Sequence, residues 1–146
     1  MTEPSAPELA SQPAPRPATV EDIMRPPLTT AEQDGHLAGA AYLMKHARTT
    51  AVVVVDEASS ARPIGLITEA DIVRAVADGE DVNEVRIRDV MTPRLTAIAP
   101  TTSIRDAAES MMTGHFRHLP VVDNASLVGI VDIKDVCRAL LDGSAG

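Results

Sequence analysis

Asp22-Ile23-Met24-Arg25-Pro26-Pro27-Leu28-Thr29 and Asp89-Val90-Met91-Thr92-Pro93-Arg94-Leu95-Thr96 are one pattern written twice, 67 positions apart. The same offset of 67 relates Ala40-Ala41 and Met44 to Ala107-Ala108 and Met111, and Val54-Val55-Asp56 to Val121-Val122-Asp123. Further on the offset becomes 64: Gly65-Leu66-Ile67 answers to Gly129-Ile130-Val131, Asp71-Ile72 to Asp135-Val136, and Asp78-Gly79 to Asp142-Gly143. The change falls in the polar stretch EASSARP, read here as a hairpin loop, where a repeat tolerates insertion. Ordered matches with a single indel identify an internal duplication.

Each copy follows one grammar. An extended opening with a Met-x-Pro turn leads into an amphipathic helix, predicted over 35–46 and 103–114. Ser103 and Asp106 form a capping arrangement for the second of these. Ile104, Ala107, Ala108, Met111 and Met112 share one face of it and are read as core. Strands follow over 51–55 and 118–122, nearly all apolar or β-branched, as buried strands are. Short second strands run over 64–67 and 128–131. Closing helices over 69–77 and 133–141 start from Thr68 and Asp132 and stop at Asp-Gly. The expected class is α/β (α+β): two β-α-β-β-α repeats packed sheet to sheet, because one such unit cannot bury its sheet alone. The expected boundaries are a Pro/Ala-rich tail over 1–18, repeats over 19–80 and 81–143, and a short tail over 144–146.

Composition narrows the function. Of 146 residues 45% are apolar, but only 1% are aromatic, Tyr42 and Phe116, so Val, Ile, Leu, Met and Ala must build the core. A net charge of −8 argues against general DNA binding, and the dearth of aromatics against base stacking. Cys137 is the sole cysteine, which excludes an internal disulfide and a Cys-rich zinc site; its expected role is core packing. His36, His46 and His115 are read as surface residues. No apolar run is long enough to span a membrane, and the N-terminal stretch lacks the basic start and apolar core of a signal peptide. Five of the eleven prolines fall within residues 1–18, which points to an extended tail. The expected location is cytoplasmic.

The segments DIMRP, DVMTP, HLPVVD, GLITEADIV and GIVDIKDVC together resemble the tandem cystathionine-β-synthase (CBS) domain pair, or Bateman module, over residues 20–143. The resemblance implies two units about a pseudo-twofold axis with two clefts between them. It implies an adenine nucleotide or adenosyl ligand of the AMP, ADP, ATP or S-adenosylmethionine kind, bound as a regulatory ligand with no obligatory cofactor. It also implies a homodimer, a disc of four repeats.

Within Gly65-Leu66-Ile67-Thr68-Glu69-Ala70-Asp71, Thr68 and Asp71 lie one helical turn apart. Asp71 can accept from two ribose hydroxyls, while Thr68 and the helix amides can hold a phosphate. The same spacing is a capping box, and both readings stand. The resemblance implies that this cleft draws its other wall from repeat two: Arg117 and His118 toward the phosphate, and Thr92, Leu95 and Ala97 beside the base, with Leu66 on the base's other side. In the second copy Asp132 replaces Thr68, setting a negative charge where a phosphate would lie. That cleft, with Asp132, Asp135, Thr50 and Ala51, is expected to lack a basic partner and to bind weakly or not at all. No Ser/His/Asp or Cys/His set stands out, so an enzyme is not the expected reading. The alternative to a sensor is a structural oligomerisation module whose nucleotide motif serves only as helix caps.

Overall fold

The computed structural model describes residues 19–27, 29–92 and 96–143. The tails over 1–18 and 144–146, and Leu95 of the expected site, lie outside them. The elements are β1 (Thr30–Glu32), α1 (Leu37–Ala47), β2 (Ala51–Asp56), β3 (Ser59–Thr68), α2 (Glu69–Ala77), α3 (Ile104–Gly114), β4 (His118–Asp123), β5 (Ser126–Asp132) and α4 (Ile133–Gly143). Short 3-10 turns at Val20–Asp22 and Ile87–Asp89 open the two copies.

The mixed α/β class holds. β1 runs parallel to β2, and β2 pairs antiparallel with β3. β4 pairs antiparallel with β5, and the partner of β1 in this copy is a single parallel bridge, Ile98 to Val121. The two sheets meet through β3 and β5. Val52, Val54 and Ile67 form one core with Leu37, Ala40, Met44 and Ala75. Leu119, Val121 and Val131 form the other with Ile104, Ala107, Met111, Val136 and Ala139. The helices begin and end for legible reasons. The Ser103 hydroxyl accepts from the Asp106 amide at 3.0 Å. α1 and α3 both end on a left-handed residue, Arg48 at φ 56° and His115 at φ 58°, which frees the last amide to close the helix.

The opening segments are exchanged between the copies. Val20, fully buried, belongs to the core of repeat two, and its amide donates to the Thr102 carbonyl at 2.8 Å. Its counterpart Ile87, 2% exposed, belongs to the core of repeat one, and its amide donates to the Gly35 carbonyl at 2.8 Å. The repeated methionine has the same logic. A Cβ on Gly129 would lie 2.7 Å from the Met24 sulfur, and one on Gly65 would lie 2.7 Å from the Met91 sulfur. Each methionine therefore seats on the glycine of the other repeat's second strand, where only a hydrogen leaves room.

Four expectations are corrected. EASSARP is not simply a loop: β3 starts at Ser59 and is carried past the tip by register shifts opposite Val54, Val55 and Asp56. α4 continues through Asp142 and Gly143 rather than stopping before them. Met112 does not pack with Met111; it is 75% exposed. Cys137 is exposed rather than core, because Val136 and Ala139 take the inward face of α4.

Candidate functional site

The exchange of opening segments builds two matching junctions, at the places expected for the two clefts. At the first, the Thr92 amide donates to the Leu66 carbonyl at 3.0 Å and the Leu66 amide to the Thr92 carbonyl at 3.4 Å. At the second, Arg25 and Ile130 exchange the same two bonds, each at 2.9 Å. Each cleft thus takes its closing-helix aspartate from one repeat and its opening strand from the other.

In the first cleft Thr68 is extended (φ −121°) and starts α2. Its hydroxyl donates to Asp71 Oδ2 at 2.9 Å, its own amide donates to the same oxygen at 2.9 Å, and the Asp71 amide returns a bond to the Thr68 hydroxyl at 3.2 Å. Asp71 is 6% exposed yet keeps Oδ1 turned outward, where Arg74 of the same helix donates to it at 2.6 Å. Leu66 is half-buried, and Thr92 and Ala97 are exposed. The structure therefore brings Leu66, Thr68, Asp71 and Thr92 together.

Arg117 precedes β4 and His118 opens it, and His118 reaches the other repeat. The Arg117 carbonyl accepts from the Ile133 amide and the Thr50 carbonyl from the Glu69 amide, both at 2.9 Å, an equivalent pair of links. The Arg117 side chain is exposed. His118 is 8% exposed, and its Nε2 lies 2.8 Å from the Thr50 hydroxyl of repeat one and 3.8 Å from Asp132 Oδ2 of repeat two. Burial lowers its affinity for a proton; the charges of Asp132 and Glu69 oppose that shift, and that of Arg117 adds to it. Among the described residues, no hydrogen bond joins Arg117 or His118 to Thr68 or Asp71. His118 spans the two repeats instead.

The second cleft is not without a basic group, which corrects the expectation. Arg25 Nε donates to both oxygens of Asp135, at 3.2 and 3.1 Å, and its Nη2 donates to Oδ1 at 2.7 Å. Burial alone would push the Asp135 carboxyl up, but the Arg25 bonds and charge outweigh it and hold the group below the ordinary aspartate value. Asp132 turns to the helix: its Oδ1 accepts from the Lys134 amide at 2.5 Å, capping α4. The signal for Arg25 was in the sequence, since Arg25 against Thr92 is the one change of chemical character within the DIMRP and DVMTP pair. Its target, 110 residues away, was not.

The sequence profile of the CBS domain matches residues 20–78 and again residues 87–142. The chain belongs to the CBS-domain family. The CBS domain-containing protein YhcV of Bacillus subtilis is 32% identical over 131 residues, 88% of this chain and 91% of that protein. A 17.7 kDa protein of Acidianus ambivalens is 38% identical over 121 residues, 82% of this chain and 67% of its own length. Among solved structures, a CBS-domain containing protein from Agrobacterium tumefaciens superposes with a TM-score of 0.78 at 28% identity, covering 88% of this chain and 97% of that one. A CBS domain protein from Pyrobaculum aerophilum, solved in complex with AMP, shares the fold with a TM-score of 0.79 at 22% identity, covering 88% and 99%. The CBS frame explains why the two clefts match in backbone. What separates them is side chains: Thr68, Asp71 and Thr92 on one side, and Asp132, Asp135 and Arg25 on the other.

Proposed function

We propose that this CBS pair is a ligand-sensing regulatory module, and that an adenine nucleotide or adenosyl compound binds the cleft of Thr68 and Asp71. The observation that carries the reading is the Asp71 carboxylate. It is buried and oriented by the Thr68 amide and hydroxyl, yet among the described residues its other oxygen is held only by Arg74, whose side chain is 69% exposed. A ribose diol donating to Oδ1 displaces a surface arginine and leaves the helix cap intact. Leu66 and Ala97 flank the base, with Thr92 on the facing strand and Arg117 free in solvent to meet a phosphate. His118, bonded to Thr50, links the two repeats, so a ligand that moves one repeat against the other shifts their packing. The AMP complex of the Pyrobaculum protein supports this ligand class.

The assembly proposed is a homodimer. Tyr42, Val73, Val76, Met112, Leu140 and Leu141 stand exposed on the four helices, one or more per helix, and a second copy of the same face offers matching apolar surface.

A structural module with no ligand is the second reading, favoured by the complete capping box at Thr68 and Asp71. Isothermal titration with AMP, ATP and S-adenosylmethionine separates the two. Binding by the native chain that weakens at least about tenfold in Asp71→Ala supports the sensor, as loss of a charge-assisted pair predicts. Silence for all three ligands, or affinity indifferent to Asp71→Ala, leaves the structural module.

A further inference from the structure

The two clefts are pinned by the same backbone bonds, so residues 25 and 92 enter equivalent positions. Thr92 leaves Asp71 to its own helix. Arg25 instead lays two guanidinium nitrogens on Asp135, a carboxylate that is 6% exposed and whose Oδ2 also accepts from the Asp132 amide at 3.4 Å. Both arginines are largely exposed, 63% for Arg25 and 69% for Arg74, and what distinguishes them is the bonding: Arg74 makes one bond to one oxygen, Arg25 three bonds across both. Arg138, the counterpart of Arg74, stands off at 4.0 Å from Oδ1, its place taken by Arg25.

We propose that Arg25 is a built-in occupant of the second cleft: its guanidinium holds the position on Asp135 that a ribose diol would need, so the chain carries one cleft open to nucleosides and one closed by its own side chain. The inference rests on the reading of Asp71 and Asp135 as equivalent diol acceptors. A diol and a guanidinium present the same pair of donors to a carboxylate. The diol brings neutral donors to the charged carboxylate, whereas the guanidinium brings a charge of its own on a planar fork that matches both oxygens, and it is tethered, so it competes at high effective concentration.

Closure by Arg25 differs from closure by charge repulsion at Asp132. Repulsion excludes a phosphate but admits a neutral nucleoside, whereas Arg25 excludes both. Adenosine is therefore the probe, and Asp71→Ala is the background, since it silences the first cleft. Titration of Asp71→Ala with adenosine is expected to give no binding in the second cleft. Adding Arg25→Ala is expected to create one site per chain, at least about tenfold tighter, and adding Asp135→Ala to that chain should abolish it. Arg25→Gln, which leaves a neutral donor beside Asp135, is the second variant should Arg25→Ala unfold. Adenosine binding in the second cleft with Arg25 in place, or no gain in either Arg25 variant, overturns the proposal. If the native chain binds but the Arg25 variants gain nothing, the inference fails alone. If the native chain is silent while the Arg25 variants bind, the reading of the first cleft fails and the inference stands.

Discussion

Replacing Ile87 by alanine tests the exchange of opening segments. Ile87 follows the first repeat in sequence but is 2% exposed within that repeat's core, beside Leu37 and Ile67. Removing its outer carbons forfeits about 2.4 kcal/mol of transfer free energy, at about 0.8 kcal/mol per group. A residual cavity of roughly 60 Å³ adds about 1.4 kcal/mol. Partial collapse brings the expected loss to about 3–4 kcal/mol, a large share of a stability on the order of 5–15 kcal/mol. The backbone bonds around the site remain, including Leu37 to Val85 at 3.0 Å and Arg88 to Gln33 at 3.0 Å, so the segment stays docked and only its anchor is lost. Urea denaturation of Ile87→Ala gives the magnitude, and native-state hydrogen exchange gives the place. Amides of β2 and β3, such as Val54 and Ile67, are expected to lose protection before Val121 and Val131. A loss below about 1 kcal/mol, typical of a surface change, or loosening confined to β4 and β5, would refute the reasoning.

Other outcomes follow from the same structure. Gly65→Ala and Gly129→Ala each press a methyl against a methionine sulfur at 2.7 Å and a backbone carbonyl at 3.0 or 3.1 Å; each should lower stability by about 1–3 kcal/mol in thermal melts, and unchanged melting would show that the segments seat loosely. His118 binds a proton less readily folded than unfolded, so its contribution is fully present above the ordinary histidine value of about 6.5 and is lost as pH falls through that value toward the folded one. Stability should therefore fall as pH drops below about 6.5, and His118→Gln should flatten that slope; an equal slope in the variant would reassign the effect. If the helical face pairs two copies, Cys137 should react with a maleimide at least about tenfold more slowly in the native chain than in Val73→Arg, as burial of a thiol predicts. Equal rates, with a monomer in sedimentation, would remove the dimer.

The duplicated architecture was legible because its signals are local and periodic. The valine run of β2 and the Thr68–Asp71 spacing name their elements without outside help, and the offset between copies places the rest. EASSARP misled because an exposed hairpin arm is polar and turn-like in composition, and only pairing with β2 reveals it as strand. Cys137 and Met112 misled because apolar character does not say which flank of a helix faces inward; Val136 and Met111 won that competition by packing against β4 and β5. Thr68 and Asp71 were identifiable from spacing. The partnership of His118 with Thr50, 68 residues away, and that of Arg25 with Asp135 arise only when the chain closes on itself.

The exchanged openings also bear on how such a chain diversifies. A chain holding one copy could seat its Val20-like residue only in another molecule, and its two clefts would be identical by necessity, since one codon would specify both. Joined in tandem, the copies satisfy each other within one polypeptide, and each cleft is encoded once. Residue 25 can then become arginine while residue 92 stays threonine. Covalent linkage turns an obligatory pair of identical sites into two that inherit changes separately.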